Sequence, residues 1–185
     1  MKKHIIILTL LISSLGMAQS EINKLPFYEI PEHPEVFTAG TVAARMVEGL
    51  GHRYYWATEG LTVKDLEYKA SESGRTSEET IEHIYSLSKF IRNSILVDNK
   101  DNTKEVLGFD DMRKNTLLNL KMISEVLRNA DSPYDLNSSE VPFWNIINGP
   151  IADAIWHCGQ VVLLRRASGN PFNSKVSVFQ GKLKE

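Results

Sequence analysis

The chain of 185 residues has one cysteine, Cys158, so it can form no intramolecular disulfide. Cys158 lies in an apolar stretch, where a buried structural thiol is expected rather than a nucleophile. Basic residues are also in deficit: 21 Lys and Arg stand against 23 Asp and Glu, a formal net charge of −2. Nucleic acid is therefore not an expected partner, since a phosphate backbone selects clustered cations. There is no P-loop, dinucleotide fingerprint or G-x-S-x-G elbow, and no internal repeat or low-complexity tract. After the first 18 residues no apolar run is long enough to span a bilayer, so the mature form is expected to have no membrane span.

What is present begins with a targeting signal. Lys2 and Lys3 precede the apolar run Ile5–Ile12, and Gly16 and Ala18 form a small-residue exit. Residues 1–18 read as a secretory signal peptide cleaved after Ala18, which implies export to the periplasm or the medium. Residues 19–35, with Pro26, Pro31 and Pro34, read as an extended lead-in. Residues 36–185 read as one helical domain with a C-terminal tail.

Four helical patterns follow. The first, Val36 to Glu59, repeats apolar residues at Ala39, Val42, Ala43, Met46, Leu50 and Ala57. His52 falls opposite this stripe, beside Arg45, Glu48 and Glu59, and is expected in solvent. Thr62 and Asp65 suggest the cap of a short turn. The second helix starts at the capping box Thr76-Ser-Glu-Glu79 and runs to about Leu96, with Ile84, Leu87, Phe90 and Ile91 on its apolar face. His83 sits at the edge of that face and looks inward. Glu79 is expected to serve the cap, and is otherwise a weak candidate base. The third helix runs from about Asp110 to Ala130, with Met112, Thr116, Leu120, Ile123 and Leu127 on one face.

The fourth helix is predicted to start at Pro150 and stop at Gly169, ahead of Pro171. Asp153 and His157, spaced i, i+4, share a face that continues through Gln160. A carboxylate and an imidazole one turn apart either pair with each other or grip one metal ion. Trp156, Val161 and Leu163 flank them, and the helix is apolar enough to be buried nearly all round. Its far side, Ile151, Ile155, Cys158 and Val162, needs cover from a homodimer partner or from the tail folding back, and the dimer is the preferred expectation. Val176–Phe179 suggests a short strand. The pattern as a whole predicts an all-α, up-down-up-down four-helix bundle, with helices two and four parallel and His83, Asp153 and His157 at one level of the interior.

Thr80-Ile-Glu-His83-Ile-Tyr85, the stretch His157-Cys-Gly-Gln160 with Arg165, Arg166 and Gly169-Asn-Pro171, and Arg53-Tyr-Tyr-Trp-Ala-Thr-Glu-Gly-Leu61 together resemble the DinB/YfiT-like family. The resemblance covers about Ala39 to Lys182. It implies a four-helix bundle, commonly dimeric, that holds one divalent metal through three histidines. By position His83 matches the first ligand and His157 the last, while Asp153 stands where the family has a histidine. The implied site is then two histidines and one carboxylate, suited to zinc or nickel, with iron or manganese also compatible. Such a site implies a metal-dependent hydrolase or transferase acting on a small molecule through metal-bound water or substrate, with Gln160 near the metal or the substrate. A non-catalytic binding or structural bundle, with a structural metal or none, is the alternative.

Overall fold

The structure is a computed structural model that describes residues 24–129 and 132–185. The expected signal over 1–18, its expected cleavage point and the predicted helix end at Ala130 lie outside the described residues. Among the described residues the regular structure is mostly α-helical with one two-stranded hairpin, and no helix is long and apolar enough to cross a membrane.

Helix α1 (Ala39–Thr58) starts at Thr38, whose hydroxyl accepts from Thr41 N–H at 3.1 Å, while Thr41 Oγ1 accepts from Thr38 N–H at 2.8 Å. It buries Ala43, Val47, Leu50, Tyr54 and Ala57. The short helix α2 (Val63–Leu66) is capped by Thr62 and Asp65 as expected. Helix α3 (Ser77–Ile95) begins with the predicted capping box. Helix α4 (Phe109–Arg128) buries Met112, Thr116, Leu120, Ile123 and Leu127, the face read from the sequence.

The fourth helix starts earlier than predicted. A short helix α5 (Phe143–Ile146) leads through a π-turn (Ile147–Ile151) directly into α6 (Ala152–Ser168). Pro150 therefore lies inside a continuous helical run rather than at its first turn. A proline has no N–H to give the ladder, and the wider π-turn absorbs that loss without ending the helix. Gly169 ends α6 with φ of 100°, a left-handed conformation suited to glycine.

The helix directions differ from up-down-up-down. Near the end of α1, Thr58 Oγ1 accepts from Arg113 Nε at 3.0 Å, close to the start of α4. Earlier on α1, Glu48 Oε1 accepts from Ser124 Oγ at 2.8 Å, close to the end of α4. Helices α1 and α4 are thus antiparallel. Arg165, near the end of α6, donates to Trp56 O and Ala57 O at 3.0 Å, so α1 and α6 are parallel. Along α3, Thr80 shares a cleft with Leu164 and His83 meets Asp153, so α3 opposes α6 and runs parallel to α4. The order is up-down-down-up. The cause is the connection 96–108, which turns back along α3: Asp101 N–H donates to Asn93 Oδ1 at 2.9 Å, and further back Lys89 Nζ donates to Thr103 Oγ1 at 3.2 Å. Fully extended it reaches about 43 Å, more than the roughly 29 Å length of the 19-residue α3.

Residues 24–35 of the lead-in return to α1 through Phe27 and Tyr28. Phe27 adopts a left-handed φ of 69°, and its ring lies where a Cβ on Gly51 would come within 2.5 Å. Trp56 Nε1 donates to Tyr28 O at 3.0 Å. This covers the face of α1 predicted to meet solvent. His52 is 0% exposed and Glu48 1%. Glu48 is matched there by Ser124, by Arg128 at 3.2 Å and by Arg45 at 3.4 Å.

Helix α6 is not buried all round. Trp156 is 73% exposed and Leu163 64%. The opposite strip is covered by the tail: Ile155, Cys158 and Val162 line one cavity with Phe172 and Val176. The tail forms a small hairpin, β1 (Val176–Ser177) paired antiparallel with β2 (Lys182–Leu183), shorter than the predicted strand, and Phe179 is fully exposed.

Candidate metal centre

His83 comes from the first half of α3, and Asp153 and His157 from one face of α6. Because the helical run starts at Phe143, these two residues sit in its middle, opposite His83 on the antiparallel helix. The three side chains converge as the sequence predicted, although through antiparallel rather than parallel helices. One ligand-type atom from each residue can be chosen so that all lie within 4.8 Å of one another. His83 Nε2 is 3.2 Å from Asp153 Oδ2, and His157 Nε2 is 3.3 Å from Asp153 Oδ1. The two imidazole rings meet edge to face, with centroids 4.7 Å apart. The His157 side chain is 13% exposed, His83 35% and Asp153 39%, so the group lies at the edge of the helix packing and is open to solvent.

A further side chain orients one ring. His157 Nδ1 faces Gln160 Oε1 at 2.8 Å. With the amide oxygen as acceptor, Nδ1 is the donor, and Nε2 is the lone-pair atom of the neutral ring. That lone pair faces a carboxylate oxygen. Two acceptors at 3.3 Å have nothing to share unless a proton or a cation lies between them. The donor set, two imidazoles and a carboxylate with one ring oriented by a further side chain, suits a divalent transition metal.

A cleft of about 360 Å³ opens beside His157, lined by Arg75, Thr80, Gln160, Leu163 and Leu164. Arg75 forms no ion pair among the described residues. Glu79, the weak candidate base, accepts from Thr76 N–H at 2.7 Å and belongs to the cap. His52 is not part of the group: its Nδ1 is 3.2 Å from Phe27 O. Cys158 is 3% exposed, and burial pushes its thiol up to about 12, in keeping with a structural role.

Sequence reasoning missed the buried polar network that ties α2 to the end of α6. Asp65, 1% exposed, accepts from Thr62 N–H and from Asn170 Nδ2, each at 2.8 Å, and from Ser168 Oγ. Burial alone would raise the Asp65 carboxyl. The hydrogen bonds from Ser168, Asn170 and Thr62 outweigh it and hold the group well below the usual carboxylate range. The cap at Thr62 and Asp65 was legible, but its union with Ser168 and Asn170 depends on tertiary contact. No family model matches the chain, and no curated protein or solved structure shows significant similarity to it.

Proposed function

We propose that this chain is an exported, DinB/YfiT-like four-helix-bundle protein that binds one divalent metal ion through His83, Asp153 and His157 and acts as a metal-dependent hydrolase or transferase on a small molecule. The observation that carries this reading is the convergence of one ligand-type atom from each of His83, Asp153 and His157 within 4.8 Å of one another. Zinc or nickel suits the donor set best, and iron or manganese also fits it. When bound, such an ion supplies a Lewis acid that polarises a substrate oxygen or acidifies a coordinated water. The exposure of His83 and Asp153 favours catalysis over a structural metal, because three protein ligands at an open edge leave positions for exchange. Gln160 orients His157. Arg75, without an ion-pair partner among the described residues, offers a cation to an anionic group of the substrate, and Leu163 an apolar wall. The proposed homodimer would use the exposed Trp156 and Leu163, one stripe of α6, since the tail already covers the opposite strip.

The test is calorimetric titration of metal-stripped protein with zinc, nickel and manganese. Wild type should bind one ion per chain, Asp153→His should retain binding, and Asp153→Asn should weaken it. Equal affinity in wild type and His157→Ala would end the proposal. A chelator separates the roles: loss of stability without loss of any activity would indicate a structural metal.

A further inference from the structure

On the other side of α6 lies a cavity of about 280 Å³, between α1, α6 and the tail. Its walls are apolar: Ile155, Cys158, Val162, Phe172, Val176 and Val178. Three polar side chains also line it: His52, Arg53 and Arg166. His52 is fully buried, and its Nδ1 faces Phe27 O, a carbonyl that only accepts. Nδ1 therefore carries the proton, and Nε2 is the ring's remaining polar atom, an acceptor with no partner among the described residues. Burial and the charge of Arg53 oppose protonation of the ring, although Glu29 and the carbonyls of Phe27 and Tyr28 favour it. A buried acceptor left without a donor is costly. Neither Arg53 nor Arg166 has a carboxylate partner among the described residues. Arg53 donates one bond to its own helix, at Gly49 O.

We propose that this cavity is a second binding site, separate from the metal centre, for a small amphipathic anion whose apolar body carries a hydrogen-bond donor. The body fills the space between α6 and the tail, the donor meets His52 Nε2, and the anionic group lies against Arg53 and Arg166. The volume limits the ligand to about one fused bicyclic ring or a short acyl chain.

Three related probes test the parts separately. Indole-3-acetate has the ring, the N–H and the charge; naphthalene-1-acetate lacks the N–H; indole-3-acetamide lacks the charge. Calorimetry on the full chain should show indole-3-acetate binding about tenfold or more tightly than either analogue. Arg166→Gln should remove the preference for the acid over the amide. Gly159→Leu supplies a control on the cavity itself, since Gly159 lines it and a Cβ there meets no atom within 4 Å. Leucine also suits a helix better than glycine, so this variant should fold and yet lose indole-3-acetate. His157→Ala should leave the probe's affinity unchanged. No binding of indole-3-acetate, equal binding of all three probes, or undiminished binding in Gly159→Leu would each overturn the proposal.

Discussion

His52 and His157 begin alike and end differently. Each stands on a long helix, and each has Nδ1 directed at an oxygen that only accepts: Phe27 O for His52 and Gln160 Oε1 for His157. In the neutral ring, Nε2 is then the lone-pair atom of each. For His157 that lone pair faces a carboxylate, with a second histidine beside it and an open cleft nearby. For His52 it has no hydrogen-bond partner among the described residues, in a ring buried beneath the lead-in. The proposed metal role of His157 thus rests on its company, the Asp153 carboxylate and His83, rather than on its own orientation or burial. The more deeply buried histidine is the one without a ligand set.

The largest expected effect separates the two directly. His157→Ala removes one of three ligands, and metal binding should fall below detection by calorimetry, while His52→Ala leaves affinity unchanged. If His52→Ala weakened metal binding as strongly, the comparison would fail. The next effect has the opposite bias. His52→Ala empties a fully buried position and deletes the bond to Phe27 that holds the lead-in, so thermal or denaturant unfolding should show a loss of about 3 kcal/mol. His157→Ala, at a partly exposed position, should cost well under half of that in metal-free protein.

A smaller effect concerns the anchor of α6. Ser168→Ala deletes one donor to the buried Asp65 carboxylate and should cost about 1–3 kcal/mol at neutral pH. The folded pKa of Asp65 lies below its ordinary value, so its contribution is full above about pH 4 and is lost as pH falls through the folded pKa. The gap between wild type and Ser168→Ala should therefore narrow as pH falls through the folded pKa, and equal folded pKa values of Asp65 in the two proteins, measured by carboxyl NMR titration, would show that Ser168 does not stabilise the charge. The smallest effect sharpens the role of Gln160. Gln160→Leu frees the His157 ring without removing a ligand, and affinity should drop about tenfold. An unchanged affinity would mean that Gln160 does not set the tautomer.

Much of the site was legible because it depends on local spacing. Asp153 and His157 share a face at i, i+4 in any α-helix, and Ile84 and Ile91 fix which side of α3 turns inward and so bring His83 to its edge. The direction of α3 relative to α6 was not legible. It depends on whether 96–108 turns sharply or runs back along α3, and the anchoring of that segment by Lys89 and Asn93 is a tertiary matter. The burial of His52 escaped for a related reason. Periodicity assigns one apolar face to α1 and cannot see that Phe27 and Tyr28 return to cover the other. Pro150 misled because a proline marks a helix start far more often than a π-turn.

The central claim is that a metal ion, rather than a proton, lies among His83, Asp153 and His157. Anomalous diffraction from crystals of untagged protein, purified without chelator and measured above and below the zinc and nickel edges, tests it most directly. The account predicts an anomalous peak coordinated by both Nε2 atoms and the Asp153 carboxylate. No peak there, together with hydrogen-bonded His–Asp pairs in protein supplied with excess zinc and nickel, would contradict it.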